Sequence, residues 1–127
     1  MDTYCYKLEG KKAVPCDFND AHFSFNENLL YKDHVGPVKI STVFLSIDTS
    51  LNDEGPILFE TRTVGGPKIV NGIVRKYSTW EEAEYGHLKV VRQVLDEMDI
   101  LTSLAWDAFC SFKFLFKKEL ELNEKTK

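Results

Sequence analysis

Four side chains in this sequence have the chemistry of a reaction centre: Asp48, Glu60, Glu84 and His87. An imidazole beside two or more carboxylates can hold a metal ion or move a proton. Glu84 and His87 lie three residues apart, so a helix sets them on one side. A helical wheel puts both on its apolar face. Asp48 closes one strand-like run and Glu60 sits inside the next. A helix crossing that end of a sheet would bring the four together, with Arg62 and Arg75 available to an anionic group. In the competing arrangement Glu60 lies on a solvent face, Asp48 caps a turn and His87 bonds a backbone carbonyl. No spacing here matches HExxH or another recognised metal signature, and no cofactor is expected.

Other reactive residues are less organised. Gly65-Gly66-Pro67-Lys68 lacks both the P-loop pattern and a following helix, and it reads as a hairpin turn. Cys16 and Cys110 have no spacing that pairs them with His22 or His87 as nucleophiles; each reads as a small hydrophobe or an idle thiol. Trp106, Phe109, Phe112, Phe114 and Phe116 cover more of a helix circumference than one small sheet can bury. They either fold back into the core or form an interface with a second copy or another protein.

The elements that would position these residues follow from periodicity. Residues 3–16 read as a hairpin turning at Glu9-Gly10-Lys11, with Pro15 confining the second strand to an edge. Asp17 can cap a helix over about 18–31, in which Phe18, Ala21, Phe25 and Leu29 recur near helical spacing. Asp33-His34-Val35-Gly36-Pro37 would break it. Val38–Asp48 is the best strand, apolar on both faces and so central. Ile57–Val64 and Ile69–Tyr77 follow at short spacing, which favours an antiparallel meander. Thr79 with Glu82 makes a capping box, and Ser78 with Glu81 offers another register. Beyond it Trp80, Ala83, His87, Val91, Val94, Leu95 and Met98 share one face. A further helical pattern runs from about Ile100 to Leu122.

The expected fold is α+β: an antiparallel three-stranded meander, with the N-terminal hairpin as its candidate extension, packed against the capped helix. Its 127 residues suit a single domain, with a core over about 1–98 and a C-terminal helical extension over about 99–122. Net charge is -4, with 20 acidic against 16 basic residues. That gives no electrostatic footprint for nucleic acid or an anionic membrane. Three cysteines without CxxC fit a reducing cytoplasm. Residues 1–15 carry Asp2, Lys7, Glu9, Lys11 and Lys12, so no secretory leader is expected.

Several of these segments together resemble a known group. Ile40-Ser41-Thr42-Val43-Phe44-Leu45 with Asp48, Leu58-Phe59-Glu60-Thr61, Gly65-Gly66, and Arg75-Lys76-Tyr77-Ser78-Thr79-Trp80-Glu81-Glu82-Ala83 with Gly86-His87 are similar to the pattern of a family of small uncharacterised phage- and prophage-encoded proteins. The likeness covers most of residues 1–95. The chain departs from the pattern at Thr49, where a His is usual, and at Arg62, where a Met is usual. The resemblance implies a phage origin and no catalytic assignment. On it rests the expectation of an accessory protein in the host cytoplasm that binds a host or defence protein without catalysis. Its expected surfaces are the aromatic C-terminal helix, which would also pair copies into an oligomer, and the acidic Asp48–Glu54 loop. The alternatives are a nucleotide or small-molecule binder or hydrolase, with its pocket between sheet and helix, and a minor virion protein.

Overall fold

A computed structural model of the chain describes residues 5–50 and 55–99. Two strands, β1 (Cys5–Glu9) and β2 (Lys12–Cys16), form the N-terminal hairpin. Glu9 pairs with Lys12 across the two-residue turn Gly10-Lys11, where Gly10 supplies the positive φ of a primed turn. A 3-10 turn at Phe18–Asp20 and the one-turn helix α1 (Phe25–Asn28) follow. Strands β3 (Leu29–Val35), β4 (Val38–Phe44), β5 (Phe59–Val64) and β6 (Val74–Tyr77) then make an antiparallel sheet in sequential order. Helix α2 is described over residues 80–99. The chain divides into compact units of residues 1–94 and 95–127, and the six strands among the described residues belong to the first.

The α+β class is as expected, with one more strand in the sheet. The expected helix over 18–31 is replaced by the 3-10 turn, α1 and the start of β3. Asn28 explains part of this: its side chain is drawn into tertiary hydrogen bonds that a continuous amphipathic helix would not offer. Gly36-Pro37 is the other part. It does not end a helix but joins β3 to β4 as a two-residue hairpin turn, with Gly36 at positive φ and Val35 facing Val38. The expected strand over 69–77 shrinks to Val74–Tyr77. Residues 65–73 form a compact turn region pinned by Thr63, whose hydroxyl donates to the Val70 carbonyl at 2.5 Å and accepts from the Ile73 N–H at 2.8 Å.

The central strand β4 turns Val38, Ile40, Thr42 and Phe44 towards α2, all buried. Thr79 caps α2, its hydroxyl accepting the Glu82 N–H at 3.2 Å. The helix buries Ala83, Gly86, His87, Val90 and Val94. Leu95, expected on this face, is instead exposed, and Val90 fills the interior position. Gly86 sets how close the helix comes. A Cβ at this position would lie 2.1 Å from the Tyr77 ring, so only glycine permits this approach. Near the start of α2, Phe44, Leu58, Phe59 and Ala83 form a core cluster with Tyr6, Leu8, Ala13, Leu30, Tyr77 and Trp80. The hairpin is tied in by the Tyr6 N–H to the Ser46 carbonyl at 2.8 Å.

Candidate functional site

The four residues of the expected reaction centre do not converge. His87 is buried under α2 on the inner face of the sheet, whereas Glu84 is exposed on the helix. Glu60 lies on β5 between inward-facing Phe59 and Thr61, and therefore on the opposite face of the sheet. It is buried there all the same, which corrects the solvent-face alternative. Its carboxylate accepts from Arg62 Nε two residues along, and this bond holds the guanidinium above its ordinary range. Arg75 is exposed and donates to the Val74 carbonyl. Among the described residues no three of His, Cys, Asp and Glu gather as a metal ion requires.

Asp48 caps a turn. Its Oδ1 accepts the Ser50 N–H at 2.8 Å and the Ile57 N–H at 2.9 Å. Partial burial alone would raise the carboxyl pKa, but the hydrogen bonds from Ser50 and Ile57 outweigh it and hold the group below its usual range.

His87 sits in a relay that was not legible in the sequence. Its Nε2 is hydrogen-bonded to Asp33 Oδ2 at 2.7 Å, and its Nδ1 to the Thr42 hydroxyl at 2.6 Å. The Thr42 hydroxyl in turn shares a hydrogen bond with the Thr61 hydroxyl at 2.5 Å. Each ring nitrogen thus has a partner. The order Asp–His–Thr is that of an activated nucleophile, but the Thr42 hydroxyl has no solvent exposure and faces Thr61 inside the core. The relay therefore fastens α2 to β3, β4 and β5. Asp33 was the residue overlooked: it pairs with Ile40 across β3–β4 and so shares the inner face with Tyr31 and Val35.

A second constellation lies in the connection from β2 to β3. Phe18, Phe23 and Phe25 are 70%, 46% and 49% exposed, and the Phe18 and Phe23 rings sit 5.2 Å apart. Asp17, Asp20 and Glu27 belong to the same segment, all exposed, with Glu27 3.2 Å from His22 and Lys39 Nζ 5.6 Å from the Phe25 ring. The loop is nevertheless fixed at its neck. Buried Asn28 donates to the His22 carbonyl at 2.6 Å and to Ser46 Oγ at 3.1 Å, and Ser46 Oγ donates to the same carbonyl. Ser46 holds a left-handed backbone with φ 64, a strained conformation for a non-glycine residue. The near-helical spacing of Phe18 and Phe25 was visible in the sequence, but that reading concealed the loop and the exposure of its rings.

Two clefts flank these elements. One of about 510 Å³ lies between the hairpin and the start of α2, lined by Tyr6, Lys11, Lys12, Phe59, Ser78 and Trp80 among others. Trp80 is oriented by an Nε1–H bond to the Tyr31 hydroxyl at 3.0 Å, and Lys11 Nζ lies 5.9 Å from its ring. Another of about 330 Å³ lies beside the loop neck, between Lys7, His22, Glu27 and Ser46. Cys5 and Cys16 face each other across the hairpin as free thiols. Partial desolvation first, and then neighbouring Cys5, push the Cys16 thiol up, which disfavours a nucleophilic thiolate.

The interface expected at Trp106, Phe109, Phe112, Phe114 and Phe116 lies outside the described residues, as do Cys110 and the acidic positions 53 and 54. Among the described residues no helix is long and apolar enough to cross a membrane. In comparison with known proteins, no protein family, curated protein or solved structure matches the chain.

Proposed function

We propose that this chain is a small binding protein that docks another protein through the aromatic loop at residues 17–28. The observation that supports it is the combination of three solvent-facing phenylalanines with a buried, hydrogen-bonded neck. Aromatic rings on an ordered loop offer large contact area at little entropy cost, and interfaces concentrate such residues. Rigid scaffolds commonly present binding residues this way. The exposed Asp17, Asp20 and Glu27 of the same segment suit an apolar pocket rimmed by Lys or Arg on the partner. With the motif resemblance, this reading makes the chain a phage accessory protein that acts in the host cytoplasm on a host or defence protein.

Affinity purification of the tagged full chain from host cells tests the reading. The partner is recovered with the wild type and with the Glu84→Ala and Arg75→Ala controls, and is lost with Phe18→Ser/Phe23→Ser. Equal recovery with and without the loop aromatics would overturn it.

A second reading, a nucleotide binder, is favoured by the cleft at Trp80. An aromatic base can stack on the indole while Lys11 and Lys12 meet its phosphate. Titrating a Trp106→Phe chain with AMP distinguishes it. Saturable quenching of Trp80 fluorescence that is lost on Lys12→Ala supports a nucleotide site, and a flat trace removes it.

A further inference from the structure

Helix α2 carries a second apolar stripe on the side away from the sheet. Tyr85 and Leu88 are 66% and 62% exposed. They stand three residues apart on the same stripe as Glu81 and Arg92, spaced four residues further out at either end. The four occupy alternating core positions of a heptad. Lys89 flanks the stripe, its Nζ 5.6 Å from the Tyr85 ring, and Glu82 lies two turns earlier on the same flank. An exposed face with this pattern suits the seam of a helix pair.

We propose that this face binds a second copy of the chain through an antiparallel pairing of the two α2 helices. The charges select this arrangement. A two-fold axis passing between residues 86 and 87 sets Tyr85 against Leu88 of the second copy, and Leu88 against its Tyr85. The same register sets Glu81 against Arg92 of the second copy, and Arg92 against its Glu81. On the flank, Lys89 meets Glu82 of the second copy. Every charged group named thus meets an opposite charge, and the contact is isologous, so it closes at a dimer. A parallel pairing would instead set Glu81 against Glu81 and Arg92 against Arg92. The seam is short, about 18 Å of helix from its rise per residue, which fits a concentration-dependent dimer rather than an obligate one.

Sedimentation velocity of the full chain across a wide concentration range tests the proposal. The wild type shows a monomer–dimer equilibrium, and Leu88→Glu is monomeric. Lys89→Glu raises the dissociation constant roughly tenfold, because like charges then meet at two symmetric places. Adding Glu82→Lys to Lys89→Glu restores the dimer. These side chains are exposed, so circular dichroism melting should stay close to wild type and separate misfolding from dissociation. A wild type that stays monomeric throughout would overturn the pairing. So would a dimer indifferent to Leu88→Glu, or a double reversal that fails to restore association.

Discussion

Asp48 shows how one side chain can carry both a turn and a pH dependence. Its carboxylate accepts two backbone N–H groups, so its folded-state pKa lies below the unfolded value of about 3.9. The stabilisation is complete above that unfolded value and is lost as pH falls through the folded one. Urea denaturation at a series of acidic pH values should show Asp48→Asn with a flatter acid limb than wild type. At neutral pH Asp48→Ala should cost about 1–2 kcal/mol, because the turn is partly hydrated and water can replace the lost acceptor. The sequence supported this role, since an acidic residue at a strand end before a polar loop is a common turn former. It did not support the location of Glu60. Period-2 alternation assigned that residue to a face, but not to a buried environment, and burial depends on neighbours that alternation does not reveal.

At the scale of the element, Gly86 decides how α2 meets the sheet. Glycine inside a helix ordinarily costs about 1 kcal/mol relative to alanine. Here the sign reverses, because an added methyl would collide with Tyr77. Gly86→Ala should destabilise by roughly 3 kcal/mol, and much of that cost should vanish in a Tyr77→Ala background. A thermal or chemical double-mutant cycle measures the coupling. The β2–β3 loop offers a parallel case. Asn28→Ala removes two of the three neck bonds while leaving the exposed phenylalanines in place. Backbone relaxation by NMR should show residues 18–26 loosening, and partner binding should weaken about tenfold, as ordering of the loop moves into the binding step. Helix α2 was legible because cap, period and length agreed. The 17–28 loop was not, because phenylalanines near helical spacing imitate a core stripe while the decisive interaction, Asn28 to Ser46, spans 18 residues.

In the whole molecule, sequential strand order makes the sheet local in sequence, which is why its meander was readable. The relay through His87 is the opposite. It joins positions 45 and 54 residues apart and unites three strands with the helix that follows them. Contacts closing loops of that size tend to form after the hairpins on which they depend. His87→Ala empties a buried ring site and removes its bonds to Thr42 and Asp33, leaving Thr42 with Thr61 alone, and should cost about 3 kcal/mol. Stopped-flow chevrons should place most of that change on the unfolding limb, with refolding nearly unchanged. The relay then behaves as a latch. It contributes little to how quickly the chain finds its fold and much to how long the fold persists once closed, so a small protein under proteolytic attack gains lifetime from a single imidazole.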